Sequence, residues 1–464
     1  MKIGVGGAGI LVGLLTGSVS SILAARAGAQ DTQGSACSDW AEAVAVDAAG
    51  RTLVGGTTAD NRILEWDDGH AHYGDLALTR LLPSGQTDVG FGVSGSVIVD
   101  VSDFDGVNAL LPTAAGVIVA GRTSQRDDTK SGPNDLVLLR VDEQGHLVES
   151  FGSSGVARFD FGGSASAAGL ARAWGGAVYI AGTIEHPEAP SEGFIARVAA
   201  DGKLDDAYGA DGIVRFELEG EDVRFFAIRS LWDSVVVGGQ ASHQDSVSAL
   251  VLRLDGLGQF VPDYGVAGVA RYDLVRAGGS DGGAALSLTG KAAISLSLAA
   301  ADGASQIATV SFDRHGVVVP SAEGEVSLLD VPGGTQDSAS AAGFRGRNLY
   351  LAGSTYAEES ESGDAFVARL TPNGALDPKF AGGINTEHLD LEYTAFNDLA
   401  VRTAGVTVAG WNFGEKPHTL PPSDGLVVRY HFDGTLDETF GQDGIVLVDF
   451  RHGARVCGPR VDVE

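Results

Sequence analysis

Apolar positions along this chain come in short bursts, separated by turns rich in Gly, Asp and Asn. Residues 107–161 show the pattern. Val107 to Leu111 is an apolar run ending in Pro112, and Gly116-Val-Ile-Val-Ala-Gly121 follows after a turn. Asp135-Leu-Val-Leu-Leu-Arg-Val141 leads into a turn with Gly145, and Val156-Ala-Arg-Phe-Asp-Phe161 closes the segment. Runs this short, β-branched and bounded by turn residues predict strands. Four strands joined as successive hairpins predict a propeller blade, with strands A to D running from the centre outward.

The same segment returns along the chain. Asp100, Asp160, Glu217, Asp273, Asp330, Asp390 and Asp449 are separated by steps of 60, 57, 56, 57, 60 and 59 residues. A long period held this steadily marks copies of one supersecondary unit, which must stack to bury their apolar faces. The expectation is an all-β, seven-bladed β-propeller in residues 30–464. Its blades fall near 40–101, 107–161, 168–218, 225–274, 284–331, 339–391 and 396–450.

Three recurrences carry structural expectations. Strand B ends in a small pair (Gly55-Gly56, Ala120-Gly121, Ala181-Gly182, Gly238-Gly239, Ala352-Gly353, Ala409-Gly410), which predicts close approach of adjacent blades. The fifth unit offers Ala299-Ala300 instead. An aromatic residue before Gly marks the C–D loop at Phe91, Phe151, Tyr208, Tyr264 and Phe440, with Phe380 a near match, and predicts a ring between blades. Strand C carries Arg80, Arg140, Arg197, Arg253, Arg369 and Arg429, with Ser311 in the fifth unit. Their steps to Asp100, Asp160, Glu217, Asp273, Asp390 and Asp449 are 20 or 21 residues. That spacing predicts a cross-strand Arg–carboxylate pair in each of these blades.

Quoted in full, Gly193-Phe-Ile-Ala-Arg-Val-Ala-Ala-Asp-Gly-Lys-Leu-Asp-Asp-Ala-Tyr-Gly-Ala-Asp-Gly-Ile-Val214 resembles the delta-60 repeat of bacterial β-propellers. Phe366 to Asp377 and Leu426 to Gly444 resemble it too. The resemblance spans residues 40 to 450 and implies the fold. It implies no activity and brings no catalytic residues.

Composition adds location and charge. Met1-Lys2, an uncharged stretch from Ile3 to Ala25, and Ala27-Gly28-Ala29 read as a signal peptide over residues 1–29. A retained membrane anchor is the alternative. After cleavage no stable membrane insertion is expected, and the protein is secreted or periplasmic. Cys37 and Cys457, the two cysteines, flank the repeats. They predict a disulfide joining the first and last blades, with two free thiols as the alternative. The 61 acidic and 31 basic residues give a net charge of -30, which excludes nucleic acid as a partner.

Candidate chemistry is sparse. Gly4-Val-Gly-Gly-Ala-Gly9 matches a dinucleotide fingerprint in spacing, but no βαβ unit follows it. Asp205, Asp206 and Asp211, or Asp433, Asp437 and Asp443, offer oxygens to calcium, although Asp-Gly turns account for them. No cofactor is expected, with calcium as the alternative. The B–C loops vary most in length, and variable loops on a rigid frame carry binding. Trp66, His70, His72 and Tyr73 in the first, and Trp411, Asn412 and His418 in the last, are the candidate binding residues. His70 and His72 with neighbouring carboxylates are also a possible metal pair. The expected protein is a monomeric, non-catalytic module that binds an extracellular protein or glycan through this loop face. The alternative is a propeller enzyme, a hydrolase, lyase or dehydrogenase, with its site at the channel mouth.

Overall fold

Antiparallel meanders of four strands make up the chain, and the strand bounds of the third show the unit: Ser164–Arg172, Val178–His186, Ala189–Val198 and Ile213–Phe216 for strands A to D. The computed structural model describes residues 38–59, 74–127, 130–243, 246–275, 282–299, 304–322, 324–357, 362–387, 393–413 and 424–451. The signal segment 1–29, Cys37 and Cys457, and Trp66, His70, His72, Tyr73 and His418 lie outside these residues. The third and fourth meanders are separate four-stranded sheets. The first two merge into an eight-stranded sheet, and the last three into a twelve-stranded one. These mergers rest on single parallel contacts such as Gly74 with Phe104 and Gly363 with Tyr393.

Apolar cores form between meanders rather than within them. Leu136, Leu138 and Phe151 of the second pack against Ile180, Phe194 and Ala196 of the third. Ala41, Val54 and Ala77 of the first pack with Ala409, Val427 and Phe440 of the last. A single twisted sheet has two faces and no interior, so burial requires a neighbour on each side.

The strand C arginines link neighbouring units, and their partners differ from the sequence expectation. Arg80 binds Asp88 at 2.8 Å, Arg197 binds Asp205 at 2.8 Å, Arg369 binds Asp377 at 2.8 Å and Arg429 binds Asp437 at 2.8 Å. Each aspartate lies eight residues downstream, in the C–D turn. The expected pairs Arg80–Asp100, Arg140–Asp160, Arg197–Glu217, Arg253–Asp273 and Arg429–Asp449 are therefore corrected, while Asp390, the expected partner of Arg369, lies outside the described residues. Register is the reason where both strands are described. Leu76 pairs with Val99, so Arg80 falls beside Gly95 while Asp100 falls beside Asp75, at the far end of the strands. In the same way Asp273 faces Ser248, to which it is hydrogen-bonded at 2.7 Å, and not Arg253. The second and fourth units have Val148 and Val261 where the first, third, sixth and seventh have the turn aspartate. Arg253 accordingly turns to Asp233 and the Ser234 hydroxyl.

Arg80, Arg197, Arg369 and Arg429 also face the aromatic residue of their own turns, at 4.3 Å above Phe91 and 4.0 Å above Phe440 in the first and last. All the strand C arginines but Arg253 reach the next unit's C–D turn, as in donation from Arg80 to the Glu143 carbonyl and from Arg140 to the Ala200 carbonyl. Backbone bonds repeat this step, from Gly92 N to Gln144 O, Gly152 N to Asp201 O, Gly209 N to Leu257 O and Gly265 N to His315 O. The series continues through Ala322 N to Asn373 O and Ala381 N to Asp433 O, and its last member joins Gly441 N to Ser84 O of the first meander. Turn glycines make the approach possible. Gly145 has φ of 86°, and a Cβ there would lie 2.2 Å from Gly92 N.

The small pair of strand B has two separate reasons. A Cβ on Gly55 would meet Val107 of the next unit at 2.6 Å, whereas one on Gly56 would meet the Trp40 carbonyl at 1.7 Å. The second position lies against a β-bulge of strand A, where the register shifts between Ala41 and Ala43. Register corrects the fifth unit, where Ser295 and Leu296, not Ala299 and Ala300, occupy these places. Its strand A pairs without a bulge, consistent with a side chain at Leu296. Gly56→Ala is expected to destabilise by about 1–3 kcal/mol through overpacking. Urea unfolding measures this, and an unchanged midpoint would contradict the assignment.

Candidate active site

The third meander turns its B–C connection in two residues, Pro187 and Glu188, so strands B and C stay paired up to His186 and Ala189. On the same side, strand D ends and the chain runs Glu217-Leu-Glu-Gly-Glu221 into the fourth meander. Gly220 at φ 73° and a bridge between Leu218 and Glu221 make that connector a tight turn. A cleft of about 560 Å³ lies between hairpin and connector. His186, Ser191, Glu192, Glu217, Glu219 and Glu221 are among the residues that line it.

Glu192 is the centre of the cleft's bonding. Its side chain is 5% exposed, and Oε1 lies 3.1 Å from His186 Nε2. Arg215 donates to the same oxygen, while its other terminal nitrogen donates to the Phe161 carbonyl at 2.7 Å. Glu192 Oε2 is buried without a hydrogen-bond partner. Gly193 pairs with Phe216, so the next step of the register sets Glu192 beside Glu217. Ser191 is held through its backbone N at 2.8 Å and its hydroxyl at 3.1 Å, both donating to Asp222 Oδ1. Glu221 is paired with Arg271 at 2.9 Å. Glu217 and Glu219 form no ion pair with the described residues, which leaves the cleft anionic.

A buried carboxylate bonded to one imidazole nitrogen fixes that ring and leaves the other nitrogen to take a proton. This gives the cleft a positioned base, an orienting acid and a nearby carboxylate, Glu217.

The binding residues expected from the last B–C loop are placed differently. Trp411 and Asn412 belong to strand B, Gly405–Phe413. Asn412 is buried opposite Thr394, at a position filled elsewhere by Thr58, Thr123 and Thr355. It is a framework residue, and the loop assignment of this pair is corrected.

The cleft residues were absent from the expected site, though a signal existed. Strand C opens on an acid 25 residues before the strand D acid in several units: Asp75 and Asp100, Asp135 and Asp160, Glu192 and Glu217, Asp424 and Asp449. That spacing, rather than the 20 residues from arginine, is the one that brings side chains together.

Residues 348–380 match a family described as "Domain of unknown function (DUF5122) beta-propeller". No curated protein matches the chain. Among solved structures, polysaccharide lyase Uly1 is similar at 10% identity over 84% of this chain and 89% of that one, with a TM-score of 0.48. A prolyl endopeptidase structure aligns at 11% identity over 84% of this chain, which spans only 47% of that protein, with a TM-score of 0.42. An exo-1,5-alpha-L-arabinanase from a bovine ruminal metagenomic library aligns at 13% identity over 63% and 100%, with a TM-score of 0.29. The fold is all-β and propeller-like.

The His186–Glu192–Arg215 constellation in the cleft corrects the expectation of a non-catalytic module acting through its B–C loops. The place expected for the site of the enzyme alternative changes with it. The cleft lies at the ends of strands C and D, away from the strand A side where a channel mouth would be.

Proposed function

We propose that this chain is an exported, seven-bladed propeller hydrolase of the delta-60 repeat type. His186 acts as its base in the cleft of the third blade. The observation that carries the chemistry is the 3.1 Å contact between His186 and the buried, arginine-held Glu192. In the proposed reaction His186 takes a proton from water, and the resulting hydroxide forms the new bond to the substrate. His186, protonated in that step, then gives the proton to the leaving group as the old bond breaks. Glu192 orients His186 and is a positioning residue. Glu217 and Glu219 give the cleft its charge, so the substrate is neutral or cationic.

Support for a closed ring of seven blades comes from the end contacts. The bond from Gly441 N to Ser84 O continues the inter-unit series into the first meander. Phe450 N donates to Asp39 at 3.2 Å, as Val101 N donates to Asp105 and Val331 N to Asp337 within continuous connectors. The ends thus imitate a D-to-A connection, to which a Cys37–Cys457 disulfide would add a covalent link.

A panel of neutral and cationic chromogenic esters, amides and glycosides tests the proposal. His186→Ala and Glu192→Gln are expected to lower kcat/KM on any substrate turned over by about 100-fold or more. Melting curves of both variants should match the parent. Full activity in either variant, or no turnover across the panel, overturns the assignment.

A further inference from the structure

The A–B turns carry a charge opposite to that of the whole chain. Arg172, Arg229, Lys291, Arg345, Arg347 and Arg402 lie in these turns or at the adjoining strand ends. None of the six forms an ion pair with the described residues, and Arg229 Nε is buried with no hydrogen-bond partner. The acids of these turns are already engaged, Asp47 by Arg51 at 2.6 Å and Asp233 by Arg253 at 3.3 Å. In a chain of net charge -30, unpaired cations gathered on one set of turns form a local field of opposite sign.

Two tryptophans share this end. Trp174 is 85% exposed in the third A–B turn, and Trp232 is 89% exposed in the fourth. Their turns are neighbours, because the Ser230 hydroxyl donates to the Arg172 carbonyl. The next turn adds Leu288, also exposed, and Gly290 there lies within reach of Leu231 in the fourth. Exposed indoles have no packing role in the folded chain. Flat rings beside guanidiniums suit a ligand that alternates apolar faces with negative charge.

We propose that the A–B turn face binds an acidic polysaccharide, with sugar rings on Trp174 and Trp232 and carboxylates on the unpaired arginines. The outer turns decide between this partner and an anionic membrane. The C–D turns emerge at the same end of each meander and expose Asp201, Asp206 and Asp211. A flat anionic surface would meet those acids together with the inner cations. A single polymer chain is narrow enough to follow the cations alone. Because hydrolysis is assigned to the opposite end of the strands, this surface holds the enzyme on a matrix and takes no part in bond cleavage.

Full-length protein titrated with polygalacturonate, followed by tryptophan fluorescence and calorimetry, tests the proposal without reference to catalysis. Binding is expected to weaken as salt rises. It should fall about tenfold or more in Arg345→Glu/Arg347→Glu and in Trp174→Ala/Trp232→Ala, with unchanged melting curves. Neutral dextran should not bind. Four results would overturn the proposal: no binding of polygalacturonate, equal binding of dextran, undiminished binding by both double variants, or binding to phosphatidylglycerol vesicles that matches or exceeds the polymer.

Discussion

Arg429→Ala is expected to cost about 3–5 kcal/mol of stability, the penalty for breaking a buried ion pair. The Arg429 and Asp437 side chains are only 7% and 6% exposed, so the orphaned carboxylate could not recover its hydration. The same substitution removes the guanidinium from the Phe440 ring and the 2.7 Å bond to the Pro83 carbonyl of the first meander. Arg140→Ala serves as the contrast. Arg140 has Val148 where a partner acid would stand, and its hydrogen bond to Ala200 is exposed. A loss within about 0.5 kcal/mol is expected there, as for ordinary surface substitutions. Chemical unfolding of both variants measures the difference. Equal losses would show that the Asp437 pair is not the stabilising element.

The second large effect is pH-dependent and centres on Asp105. This carboxylate accepts from Val101 N at 2.7 Å and Ser102 N at 3.2 Å, fixing the connector into the second meander. Burial nevertheless dominates and pushes its pKa up to about 7, against an ordinary value of 3.8. Between those two values the folded protein holds a proton that the unfolded chain has released. Stability from this group is therefore complete below about pH 4 and declines as pH rises to about 7. Asp398, pushed up to about 6 by burial between the first and last meanders, acts in the same direction. Asp105→Asn keeps an oxygen for both amides and cannot ionise. The variant is expected to match the parent at pH 4 and exceed it at pH 8 by on the order of 3 kcal/mol. Thermal melts at the two pH values measure this. A variant less stable than the parent at pH 8 would show that the charged form is favoured in the fold.

The arginines show how far sequence periodicity reaches. Their even recurrence identified a repeated structural role, and the aromatic residue before Gly identified its setting. The choice of partner failed because constant spacing along the chain does not state which residues face each other. In an antiparallel pair the facing positions have a constant index sum, fixed by where the C–D turn reverses the chain. That turn contains Asp88, Asp205, Asp377 and Asp437, each 2.8 Å from its arginine. The cleft was not legible in the sequence for a related reason. Loop length singles out the first and last B–C loops, while the described cleft is built on a two-residue hairpin and a five-residue connector.

The sequence by itself determined that the chain repeats, that each repeat is four strands, and that aromatic and small residues recur at set places. These properties are local, written in turn chemistry and the two-residue alternation of strands. Only the tertiary structure decided that every strand C arginine but Arg253 bonds the next unit's turn, that the last meander contacts the first, and that His186, Glu192 and Arg215 converge. Such contacts join residues far apart in the chain, and their geometry follows from register and stacking rather than from any single segment.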